Sequence, residues 1–282
     1  MKKPQLVVAF VATLTCFAIV FFVPRTNKTQ VAQNNTTSSN QVISTQTVLD
    51  GAKTALTASQ KISLLSIENQ LVKAKTSTDS IQVYKQLSQF WADSAQRVEP
   101  YLYYTYSAAL LENSEKSLTF AAQQLVDNLT SPDAPPAILN WIAVNAKVLL
   151  EKALVMNPNN DSTKINLGAC YLFGNISDNP MQGILKVKEV VDKNPQNIYG
   201  QMMLGLGGKK SGQYPKAIER FTSILKLAPA NLEAMVNLAE CYELTNQPAL
   251  AIEWYTKMKT LVNNPAAKEA IEKRIKDLKK TK

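Results

Sequence analysis

"SGQYPKAIERFTSILKLAPAN" (residues 211–231) and "TNQPALAIEWYTKMKTLVNNP" (residues 245–265) share one skeleton of small, aromatic and proline positions at a separation of 34 residues. In that register Ala217-Ile218 falls on Ala251-Ile252 and Phe221 on Tyr255, and just upstream Leu204-Gly205 falls on Leu238-Ala239. A third copy precedes them. Leu167-Gly168, Tyr171, Gly183-Ile184, Val187 and Pro195 take equivalent places after a three-residue insertion in "GNISDNP" (174–180). Self-similarity at a fixed period of this length marks a chain built from supersecondary units that bury their apolar faces against one another.

The pattern resembles the tetratricopeptide repeat (TPR) family, whose repeat has a small residue at position 8, an aromatic at 11, Ala at 20, an aromatic at 24 and Pro at 32. The resemblance implies an all-α fold, a TPR-type right-handed helical solenoid, with repeats over 161–197, 198–231 and 232–265. Each repeat is then a helix pair. Small residues at positions 8 and 20 (Gly168, Gly205, Ala239; Gly183, Ala217, Ala251) let the two backbones approach, and Pro158, Pro195 and Pro229 stop the second helix by removing a donor and clashing with the preceding turn. Two departures stand out: Asn263 occupies the usual proline place, with Pro265 two residues on, and Gly207-Gly208 lies inside a first helix, with Gly208 in the aromatic slot. Gly208 reads either as a weak point that neighbouring packing tolerates or as a place where a bound segment approaches the backbone.

Composition agrees with a helical chain. Of 282 residues 45% are hydrophobic, 19% are charged and only nine are glycine. Residues 50–160 read as a helical region of degenerate repeats, broken at 76–79, Pro100, 113–115 and 130–136; residues 266–282 read as a basic capping helix with Ala267, Ile271, Ile275 and Leu278 on one face. The aromatic cluster Phe90, Trp91, Tyr101, Tyr103, Tyr104 and Tyr106 is expected to be mainly core.

The residue types present also close off chemistry. There is no histidine, which excludes Ser-His-Asp and Cys-His nucleophile systems and imidazole-ligated zinc. Cys16, Cys170 and Cys241 stand in no CxxC spacing. Catalytic residues, cofactor and metal are all expected to be none, and the protein is expected not to be an enzyme. The rival enzyme reading would rest on Glu240 and Glu243, three apart on an exposed helix face. The net charge of +9 concentrates in "AAKEAIEKRIKDLKKTK" (266–282), which has seven Lys/Arg against three Asp/Glu and no interleaved aromatic residue. Nucleic acid is therefore not an expected partner. A Lys-rich face that meets anionic lipid or another polyanion is the alternative reading of that segment.

The first fifty residues have a different character. After a short tail (1–5), residues 6–23 carry no charge, long enough at about 1.5 Å per residue to just cross a hydrocarbon core. Residues 24–49 are rich in Asn, Gln, Thr and Ser and read as a flexible polar linker. The expectation is a single-pass inner-membrane protein of bacterial type, N-terminus in, with the repeats in the periplasm and the membrane bound through 6–23.

The TPR resemblance also implies a binding groove on the first helix of each repeat, at positions 2, 5, 9, 12 and 13. Here these are Ser162, Ile165, Ala169, Leu172 and Phe173; Tyr199, Met202, Leu206, Lys209 and Lys210; and Glu233, Val236, Glu240, Glu243 and Leu244. The Lys/Asn clamp that captures a C-terminal carboxylate is missing. An apolar strip centred on Met suits an amphipathic helix or an extended segment of a protein or peptide partner. The competing expectation is that the chain's own helices between 50 and 100 fill the strip.

Overall fold

The computed structural model of the chain describes residues 43–131, 133–177 and 179–280, which form two compact units meeting at the boundary between Pro195 and Gln196. The apolar segment 6–23, Cys16 and most of the linker lie outside the described residues. Among those described there are thirteen α-helices and one π-helical turn, and no strand.

The first unit opens with α1 (Thr45–Thr54), α2 (Ala58–Lys73) and α3 (Ser77–Gln89). The linker expected to reach residue 49 ends earlier. Ser44 caps α1 by accepting from the Thr47 N–H, and Val48 and Leu49 are buried, so burial overrides a composition that reads as tether. Thr57 with Gln60 and Thr76 with Asp79 form capping boxes. The polar run 76–79, expected as a break, is thus the start of α3.

α3 runs into a π-helical turn at Phe90–Ser94 before α4 (Val98–Glu112). The Ala95 N–H donates to the Phe90 carbonyl at 3.0 Å and the Arg97 N–H to the Trp91 carbonyl at 2.9 Å. The wider turn brings two consecutive aromatic residues inward: Phe90 and Trp91 are both buried, ring to edge at 5.4 Å. They join Leu64, Val83, Leu87 and Tyr104 in one apolar cluster, with half-buried Tyr101 and Tyr103 packed against it and half-buried Tyr106 stacked on Tyr103. α1 lies against α4, and the indole N–H of Trp141 donates to Thr45 Oγ1 at 3.0 Å.

The unit continues through α5 (Glu115–Asp127), α6 (Pro136–Met156), α7 (Asp161–Phe173) and α8 (Met181–Lys193). The helices pack as consecutive pairs, α3 with α4, α5 with α6 and α7 with α8. In the last pair the crossing depends on small residues. A Cβ added at Gly168 would lie 2.5 Å from Val187 Cγ2 and 2.8 Å from the Gly183 carbonyl oxygen; one at Gly183 would lie 2.5 Å from the Gly168 oxygen. Gly168 faces Val187 while Leu172 faces Gly183, so one helix runs forward as the other runs back.

The second unit has α9 (Ile198–Lys210), α10 (Tyr214–Leu227), α11 (Leu232–Leu244), α12 (Pro248–Leu261) and α13 (Pro265–Lys280). Gly205 receives the Phe221 ring, whose Cε1 is 2.6 Å from where a Cβ would stand, and Ala217, Ala251, Phe221 and Tyr255 are buried. Gly208 differs: an added Cβ would meet Ala217 and Gln213 only at 3.5 Å, an ordinary contact. α8 and α10 end at Lys193 and Leu227, just short of Pro195 and Pro229. Pro265 does the opposite. It begins α13, with the Asn264 side chain accepting from the Ala267 N–H. Ala267 and Ile271 of α13 are buried and Ile275 and Leu278 half-buried, the expected apolar face of the cap.

Candidate peptide-binding face

Each first helix of a repeat is set by the same device. Asn160, Asn197 and Asn231 precede α7, α9 and α11, and their side-chain oxygens accept from Thr163, Gly200 and Ala234 N–H at 3.1, 2.9 and 2.8 Å. These caps fix where each helix starts and therefore which residues share its outward face.

In the second unit the positions assigned to the groove are Tyr199, Met202, Leu206, Lys209 and Lys210 on α9 and Val236, Glu240 and Glu243 on α11. Met202 and Val236 are buried; Tyr199, Leu206, Lys209, Glu240 and Glu243 are half-buried; Lys210 is exposed. In the first unit Ile165 and Ala169 of α7 are fully buried. Most of the apolar positions assigned to a groove are thus removed from solvent, and the charged ones hold each other. The Lys209 ammonium donates to Asn237 Oδ1 at 2.8 Å and forms an ion pair with Glu240. Glu243 accepts from the Tyr255 hydroxyl at 2.7 Å and from Arg274 Nε at 3.0 Å, and pairs with Arg274 Nη2 as well.

These contacts correct one expectation. Glu240 and Glu243 are not two carboxylates side by side on an open face: one ties α11 to α9, the other ties α11 to α12 and α13. Arg274 in turn is held protonated by the Glu243 carboxylate, and burial pushes the Tyr255 hydroxyl up, with the Glu243 charge adding to it. Sequence reasoning missed Tyr255, Asn237 and Arg274 as partners. The signal was faint, because a tyrosine in an aromatic core slot and an arginine in a lysine-rich run look generic.

α5 offers an equivalent face one pair earlier in the first unit. Asn166 Nδ2 of α7 donates to Gln123 Oε1 of α5 at 2.7 Å, and Phe120 on α5 is 59% exposed. Glu115 at the start of α5 accepts from Asn157 and Asn160 at 2.8 and 3.0 Å, joining it to the turn before α7. The competing occupant of the groove can be followed in this unit: α1 contacts α4 and α6 and is tied to α2 by the Lys53–Glu68 ion pair, and α2 packs on α3.

The chemistry available is limited. Burial pushes the Cys170 thiol up to about 12 and that of Cys241 to about 11, so neither is a ready nucleophile at neutral pH. Among the described residues no group of three or more Cys, Asp or Glu could hold a metal ion. No helix among them is long and apolar enough to cross a membrane. Lys-rich α13 spends part of its positive charge internally, since Arg274 pairs with Glu243 of α11 and Lys280 with Asp277.

Comparison with known proteins gives a partial match. Residues 210–273 match the tetratricopeptide repeat family model. No curated protein matches the chain. Among solved structures, a crystal structure of MamA is 16% identical, with 70% of this chain and 94% of that one covered and a TM-score of 0.42. MamA 41-end from Desulfovibrio magneticus RS-1 is 20% identical over 64% and 94%, at 0.43. YrrB, described as a TPR protein with an unusual peptide-binding site, is 17% identical over 73% and 97%, at 0.42. Likenesses this distant carry no function across. The likeness to the tetratricopeptide repeat family is thus carried by residues 210–273.

Proposed function

We propose that the protein is a membrane-tethered scaffold that binds other proteins, using the first-helix faces of its repeats to hold a helical or extended segment of a partner. The observation that carries the reading is the tetratricopeptide match over 210–273, on helix pairs whose first helices are capped and oriented alike. α9 presents Tyr199, Met202 and Leu206 before Lys209 and Lys210, Val236 of α11 stands between Glu233 and Glu240, and Tyr199 and Leu206 keep part of their surface in solvent. That mixture suits a segment with an apolar stripe and polar flanks. The uncharged run 6–23 supports a single N-terminal anchor in an inner membrane, repeats on the periplasmic side, and a role in secretion or envelope assembly follows from that placement. Catalysis is not part of the proposal.

A photo-crosslinking residue at Leu206, introduced in the full chain in intact cells, tests it. A discrete protein adduct that disappears in Tyr199→Asp supports the binding face, and adducts unchanged by that substitution refute it. Extraction with alkaline carbonate tests the tether separately: the full chain stays with the membrane and a chain lacking residues 1–42 does not.

A further inference from the structure

α2 is apolar on two sides. Leu64, Ile67 and Leu71 turn into the core of the first unit with Val83, Leu87 and Trp91. Ile62, Leu65 and Val72 turn the other way and are 71%, 58% and 85% exposed. With Asn69 between them they follow steps of three, four and three residues, which gathers them into one stripe about 80° wide. Lys61 and Lys73, both exposed, stand just outside its two edges. Glu68, on the Lys61 side, is already paired with Lys53 of α1 at 2.8 Å.

The occupant of this stripe has to be weak-binding but close at hand. Three aliphatic side chains fall well short of the roughly 800 Å² per partner that a stable dimer buries. A surface held near by a tether needs no such area, because the tether sets a high effective concentration. Residues 24–42 join the apolar segment 6–23 to the start of the first unit, and a flexible chain of that length spans on the order of 25 Å. Aliphatic residues in the middle and lysines along both edges are the layout of a helix lying in a membrane interface.

We infer that α2 docks on the bilayer from which the chain emerges, with Ile62, Leu65 and Val72 at the boundary of headgroups and acyl chains and Lys61 and Lys73 on anionic phosphates. The inference rests on the anchor reading above. It gives the first unit a fixed side toward the membrane.

The test uses the full chain with Cys16→Ser and Leu65→Cys, labelled with an environment-sensitive fluorophore and reconstituted into vesicles of phosphatidylcholine with phosphatidylglycerol. The expected result is a blue-shifted emission, raised roughly two-fold or more and quenched by brominated lipid, with little change for a label at exposed Ser63. Lys61→Glu with Lys73→Glu should shift the ratio of docked to free roughly tenfold toward free. Flotation of the same samples through alkaline carbonate separates the two readings. A chain that floats without the Leu65 signal overturns the docking and leaves the anchor standing; a chain that does not float removes both. A signal that brominated lipid does not quench means that a second copy or the chain's own residues 6–23 cover the stripe, and overturns the proposal.

Discussion

Gly183 and Gly208 are the same residue type in opposite situations. At Gly183 a methyl group would press on the Gly168 carbonyl oxygen at 2.5 Å, a backbone atom that moves only if the helices part. Gly183→Ala should therefore destabilise the protein by about 1–3 kcal/mol in urea unfolding. At Gly208 the methyl group finds ordinary contacts, and helix propensity alone decides. Gly208→Ala should stabilise by about 0.5–1 kcal/mol. The sequence separates these glycines only through the repeat register, which marks positions 8 and 20 as crossings. The buried thiols give a pH signature. Folding raises Cys170 to about 12 and Cys241 to about 11, above the ordinary thiol value of 9.0. Their contribution is complete below that ordinary value and is lost as pH climbs toward the folded ones, because the unfolded chain releases the proton first. Stability should fall between about pH 9 and 11, by up to about 1.4 kcal/mol per pH unit for each thiol, and Cys170→Ala should flatten that slope.

At the scale of helices, periodicity made the existence of nearly every element legible but not its ends. α1 was hidden because four polar residues surround Val48 and Leu49, and only tertiary burial reveals them as core. The π-helical turn was hidden as well, since nothing in "FWADS" distinguishes it from α-helix. Candidate binding residues were legible as a register and illegible as contacts, because an ion pair between helices depends on side chains far apart in sequence. Glu243 shows the consequence. Glu243→Ala leaves the buried Tyr255 hydroxyl without its acceptor, whereas Arg274, half exposed, rehydrates. The cost should be about 1–3 kcal/mol, and hydrogen exchange should show α13 opening before α11.

For the whole chain, the last helix protects more than it adds. α13 covers α12 with Ala267 and Ile271 and turns lysines outward, so a chain ended at Val262 should expose that apolar surface and associate on size-exclusion chromatography. In the first unit, Ile62, Leu65 and Val72 of α2 are left uncovered by the described residues.

The asparagine caps have a consequence for how such a chain changes length. Asn197 and Asn231 stand at matching points of successive hairpins, each holding the next helix in the same grip. Excising residues 198–231 would splice Asn197 onto Leu232 and recreate a joint the molecule already uses. Copying the same span would insert one more joint of that kind. Growth and loss by whole modules thus disturb no helix phase, whereas an insertion of any other length must be absorbed in a loop, as "GNISDNP" absorbs three residues.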